Sequence, residues 1–139
     1  MTSASSEALH TGSVLGRNAR IGTWLLQSLV AVLLGQTLFF KFTGADESRF
    51  IFETLGVEPW GRYATGGLEL IAVAMLLSPR YVKIGAALAL VLMMGAVASH
   101  LGPLGIVVED DGGTLFVLAL IVAGAALGIL LLRRKQAFV

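Results

Sequence analysis

The chain has 139 residues, of which 56% are hydrophobic and 14% charged, with a formal net charge of +1 and no cysteine. That balance lies far from the composition of an ordinary soluble domain and leaves no basic surplus for nucleic acid. The missing thiols exclude disulfides, thiol relays, thiolate metal sites and iron–sulfur clusters as chemistry of the chain's own.

A polar stretch, Met1 to Gly16, is rich in Ser, Ala, Thr and Gly and lacks periodicity. It is expected to be a disordered tail without function, followed by a single domain over 17–139. The first apolar run, Ile21 to Phe42, is long enough to cross a hydrocarbon core of roughly 30 Å. A cleavable signal peptide fits it poorly, because a polar stretch of twenty residues precedes it and Phe39-Phe40-Lys41-Phe42 stands where small residues would mark cleavage. Asp46 to Gly56 then reads as a short amphipathic helix, started by Ala45 or Asp46 and stopped by Gly56 and Pro59. Phe50, Ile51, Thr54 and Leu55 are expected to share its apolar face.

The second run, Gly61 to Leu77, is short and carries Arg62 and Glu69, and Ser78-Pro79-Arg80 ends it. Its crossing requires shielding by its neighbours. Val82 to Leu101 and Thr114 to Leu132 complete the set. The predicted fold is therefore all-α, an integral membrane four-helix bundle with a short interfacial helix between its first two crossings.

Charge orients it. Arg17 and Arg20, then Arg80 and Lys83, then Arg133, Arg134 and Lys135 fall on one side of four crossings, which places both termini in the cytoplasm. Asp46, Glu47, Glu53 and Glu58, with Glu109, Asp110 and Asp111, make the opposite face acidic. Trp24 and Trp60 suit the inner and outer boundaries. The many glycines suit close helix packing, either within the bundle or, at Gly124-Ala-Ala-Leu-Gly128 and Gly95 with Ser99, between copies.

Charges within a membrane segment persist when they are paired, hydrated or used. Glu69, Lys41 and His100 all fall in the outer half, and Gln36 is expected at the same level. Glu69, beside Gly66 and Gly67, is the leading candidate, either as proton acceptor and ligand anchor or as the partner of Lys41 in an ion pair that fixes helix register. Lys41 has the alternative of snorkelling to the headgroups. His100 has that of an interfacial or capping role, and bis-His haem ligation is not expected, because His10, the only other histidine, belongs to the cytoplasmic tail. Gln27 suits a helix–helix hydrogen bond, and Asp111 suits a cap on the last helix. The acidic loop lacks the ligand spacing of a calcium site, and no phosphate-binding loop or catalytic triad motif occurs.

Gln36-Thr-Leu-Phe-Phe-Lys41-Phe-Thr, Phe52-Glu-Thr-Leu-Gly56, Glu58-Pro-Trp-Gly61, Gly67-Leu-Glu69-Leu-Ile, Ser99-His100-Leu and Asp111-Gly-Gly-Thr-Leu-Phe116 occur in this order. Together they resemble the DoxX family of small bacterial membrane proteins, from the first helix to the end of the fourth. The resemblance implies a four-helix bundle in a prokaryotic cytoplasmic membrane. The family takes its name from a subunit of an archaeal thiosulfate:quinone oxidoreductase, which implies a quinone- or redox-linked accessory role and supplies no catalytic residues.

Two readings follow. In one, Gln36, Lys41, Glu69 and His100 line an outer-half pocket for a small amphipathic molecule, a quinone or lipid, with no intrinsic cofactor. In the other, the protein is a non-enzymatic subunit or assembly factor in the bilayer, acting through a membrane protein partner or as a homo-oligomer. Small-solute transport is the weaker third, since no inverted repeat or pair of broken helices is visible.

Overall fold

The structure is a computed structural model that describes residues 2–134, with side chains described from residue 16 onward. Lys135 and the side chain of His10 lie outside the described residues. Within them all regular structure is helical: α1 (Thr2–Thr43), α2 (Asp46–Thr54), α3 (Trp60–Leu77), α4 (Val82–Leu101) and α5 (Thr114–Arg134). The apolar segment Gly16–Thr43 of α1, together with α4 and α5, is long and apolar enough to cross a membrane. The polar stretch expected to lack structure continues α1 as helix instead. Its Ala, Ser, Leu and Glu residues tolerate helical geometry once an adjoining span supplies the nucleus.

The four long helices form a ring in which α1 lies beside α3 and α5, and α4 closes it against the same two. Their directions alternate. Gln27, early in α1, reaches Leu76 at the end of α3, and Gly22 of α1 lies near Leu132 at the end of α5. Small residues set the spacing: Ala72, Ala86, Ala89 and Ala126 are fully buried where the helices meet. At Gly85 the approach of α4 to α3 leaves no room at all, since a Cβ there would lie 2.8 Å from Met75 Cβ, 2.9 Å from Leu76 N and 3.0 Å from the Ala72 carbonyl oxygen.

The Gly124 and Gly128 pair divides its roles. A Cβ on Gly128 would meet Leu26 of α1 at 3.1 Å, so that glycine packs internally, whereas Gly124 faces open space.

Along α1, Thr23, Gln27, Val30, Leu34 and Leu38 are buried. Their spacing of three and four residues is one helical face turned to the bundle interior. Gln27 makes the helix–helix hydrogen bond expected of it, donating to the Leu76 carbonyl at 2.6 Å, while Arg133 Nη2 lies 3.5 Å from its Oε1.

The short α2 forms where expected but is rotated. Ser48 and Phe52 are its buried residues, Ile51 and Leu55 flank them, and Phe50 and Thr54 face outward. The positions 48, 51, 52 and 55 make a complete i, i+3, i+4, i+7 face, which the bulk and apolarity of Phe50 had concealed. Gly44, at φ +68°, takes the left-handed turn between α1 and α2 that a side chain would strain.

Candidate ligand cavity

At the end of the ring where α2 lies, the helices part around a cavity of about 420 Å³. α1 contributes Leu34, Thr37 and Lys41, α2 contributes Glu47, Ser48, Ile51 and Phe52, and α3 contributes Thr65 and Glu69. Opposite them stand Met93, Ala96 and His100 of α4, with Leu118 and Val122 of α5. The walls are mostly apolar and the polar groups are few, which is the make-up of a site for a small organic molecule.

Lys41 and Glu69 meet in this cavity. Lys41 Nζ lies 3.2 Å from Glu69 Oε2, with the lysine side chain 15% and the glutamate 2% exposed. Lys41 therefore turns inward, onto α3, in place of reaching out along the helix end. The Thr37 hydroxyl lies 3.1 Å from the same Oε2 and 2.8 Å from the Leu34 carbonyl, so its single proton serves one acceptor at a time. Glu69 Oε1 has no hydrogen bond among the described residues. The ammonium likewise has donors to spare beyond its one carboxylate partner. An acceptor and a donor with capacity to spare therefore stand side by side.

His100 is 5% exposed. Its Nδ1 lies 2.9 Å from the Gly105 carbonyl oxygen, which can only accept, so Nδ1 carries the proton, and Nε2 has no hydrogen bond among the described residues. Phe116 of α5 packs edge-on against the ring at 5.7 Å between centroids. The loop after α4 is held by Asp111, whose Oδ1 accepts the N–H groups of Val108 and Gly113 at 3.0 and 2.8 Å and whose Oδ2 accepts that of Leu115 at 3.1 Å. This is the cap expected of it at the start of α5. Burial alone would push the Asp111 carboxyl up, but these three donors and nearby His100 together hold it below its usual range. Glu47 behaves oppositely. Partial burial, then the charges of Asp111 and Glu109, raise it above the ordinary carboxylate value of 4.5.

Of the four site residues expected from the sequence, Lys41, Glu69 and His100 line the cavity and Gln36 does not. Gln36 is exposed on the outer surface of α1. Five residues separate it from Lys41, which is about 140° around the helix at 100° per residue. Thr37, four residues before Lys41, takes the place assigned to Gln36.

Sequence reasoning also passed over Arg62. It is 4% exposed, its Nε lies 2.9 and 3.1 Å from the two carboxylate oxygens of Glu58, and its Nη1 donates to the Lys41 carbonyl in the last turn of α1. Its guanidinium also stacks over the Tyr63 ring, 4.5 Å from the centroid. It thereby caps an open helix end and fixes α1 against α3 directly behind the Lys41 and Glu69 pair. The Glu58 and Arg62 spacing of four residues was the available signal. Among the described residues no group of three or more acidic or imidazole side chains could hold a metal ion.

No curated protein and no solved structure matches the chain. A family model does match, over residues 25–128, which takes in most of the apolar part of α1, all of α2, α3 and α4, the capped loop and most of α5. The apolar helices, the ordered motifs and this match together identify a multi-pass membrane protein, and the chain belongs to the DoxX-like family.

Proposed function

We propose that the protein is an accessory component of the prokaryotic cytoplasmic membrane that binds one small amphipathic molecule in the cavity beside α2. In this reading α3 is the fourth crossing, made tolerable because Arg62 and Glu69 are both turned into the bundle and both paired. The end carrying Arg17, Arg20, Arg80, Lys83, Arg133 and Arg134 faces the cytoplasm, as the positive-inside rule requires, and α2 lies along the outer interface over the cavity.

The carrying observation is the cavity itself: apolar walls converging on a buried ion pair with unused hydrogen-bonding capacity. A molecule that suits it has a compact head with oxygen acceptors and a hydroxyl or N–H donor, and an apolar tail to lie among Leu34, Met93 and Val122. A quinone or its reduced form has that shape and fits the redox associations of the family. Lys41 would donate to a carbonyl oxygen and Glu69 would accept from a hydroxyl, so the pair is also placed to exchange a proton with the head. Electron transfer would belong to a partner, since the chain carries no redox centre of its own chemistry.

The test is a titration of the purified protein with a short-tailed benzoquinone and its quinol, followed by quenching of intrinsic tryptophan fluorescence. Glu69→Gln is expected to weaken quinol binding at least tenfold while the helical circular-dichroism spectrum is unchanged. Equal binding by the two proteins would remove the basis of the proposal.

A further inference from the structure

The surface of α1 that faces away from the bundle carries a second regular pattern. Leu25, Leu29, Val32, Gln36, Phe39 and Thr43 are all exposed. They follow one another at intervals of four, three, four, three and four residues, which is the a/d spacing of a heptad seam. Leu25, Val32 and Phe39 are each about two-thirds exposed. This stripe is opposite the buried one, so α1 has one face for its own bundle and another with no covering element among the described residues.

Gln36 is anomalous on that seam. It stands well inside the apolar segment Gly16–Thr43, and its carboxamide makes no hydrogen bond among the described residues. An amide turned to lipid gives up its hydrogen bonds to water and receives none in return. In membrane helices such side chains are satisfied across helix interfaces. At an a position of a heptad seam a single polar residue of this kind also fixes register and orientation.

We propose that this seam is the interface of a parallel homodimer, with Gln36 of each copy hydrogen-bonded to Gln36 of the other. Two features select a second copy over a foreign helix. The carboxamide is self-complementary, carrying a donor and an acceptor, so identical groups pair reciprocally across a two-fold axis. Copies inserted with one topology also place Gln36 at one depth, so an axis along the membrane normal brings each seam residue opposite itself. The seam lies away from the cavity residues Thr37, Lys41 and Glu69, and the dimer does not depend on the ligand reading.

The chain contains no cysteine, so single cysteines report contacts against a clean background. In native membranes treated with an oxidant, Leu25→Cys, Leu29→Cys, Val32→Cys and Phe39→Cys are expected to give a disulfide-linked species of twice the chain mass. Leu68→Cys on α3, Val91→Cys on α4 and Leu120→Cys on α5, which also face outward, are expected to stay monomeric. In the otherwise native chain, Gln36→Leu is expected to lower the association constant in bilayers by roughly 3- to 20-fold, the range for an interhelical polar pair, with Gln36→Asn retaining most of it. Three results would each overturn the proposal: equal crosslinking from α3, α4 and α5, seam cysteines that link only to a protein of another mass or to nothing, and an association constant indifferent to Gln36→Leu.

Discussion

The guanidinium of Arg62 holds the Lys41 backbone while the side chain of Lys41 holds Glu69, so one residue of α1 is gripped at two points by α3. The first contact fixes where α1 ends, and the second spends that position on the cavity. Because Arg62 uses a planar fork, reaching Glu58 and the Lys41 carbonyl at once, lysine is no substitute. Arg62→Leu and Arg62→Lys are both expected to lower the melting temperature in detergent by about 5 °C or more. Both should also weaken ligand binding, through misplacement of Lys41. A melting curve superimposable on the wild type for either variant would show that the clamp contributes nothing.

Gly85 marks a tight approach of α4 to α3, and adding a methyl group there drives it into Met75 and into the backbone of α3. Backbone atoms cannot rotate aside, so Gly85→Ala is expected to destabilise the fold by about 2–3 kcal/mol. Gly67→Ala, where nothing lies within 4 Å, should be neutral or stabilising through helix propensity. Thermal unfolding of the two variants side by side separates crowding from propensity.

Glu47 joins α2 to the acidic loop through repulsion. Its carboxyl is raised by burial first and by Asp111 and Glu109 next. A raised folded-state value means the folded arrangement is favoured while Glu47 is protonated and loses that contribution as pH climbs from about 4.5 through the raised value. Hydrogen exchange of the α2 amides, corrected for intrinsic rates, should therefore slow as pH falls from 7 towards 4.5. Glu47→Gln should show the slow pattern already at neutral pH and lose most of the dependence. Identical pH profiles for the two proteins would remove Glu47 from the control of α2.

Asp111 works in the opposite sense. Its carboxyl is held low despite burial, so its contribution is present above the usual aspartate value of 3.8 and is lost as pH falls through the depressed folded value. Asp111→Ala strips acceptors from the N–H of Val108 in the loop and from those of Gly113 and Leu115 at the start of α5, and should cost about 1–2 kcal/mol at neutral pH, read by thermal unfolding. Because Phe116 of that first turn packs on His100, the variant should also loosen the cavity wall.

The positions of the helices were legible because apolar length and flanking charge are local properties of the sequence. Gly61 to Leu77 and Val82 to Leu101 were read almost to the residue. Helix rotation was not legible. In α1 apolar residues surround the whole circumference, so the choice between Gln36 and Thr37 as the companion of Lys41 needed strict counting around the helix, where 37 and 41 share a face and 36 does not. In α2 the large Phe50 outweighed the small Ser48, yet the buried face passes through Ser48 and Phe52. Arg62 was hidden for another reason, since its partner on α1 is a carbonyl and backbone acceptors leave no trace in sequence.

If the Lys41 and Glu69 cavity holds a small amphipathic molecule, native mass spectrometry with an absorbance spectrum on gently purified protein detects it most directly. Wild-type protein is expected to carry a quinone- or lipid-like mass that Glu69→Gln loses, with both proteins equally helical. Bare protein in both samples, or the same mass retained by both, would contradict that binding.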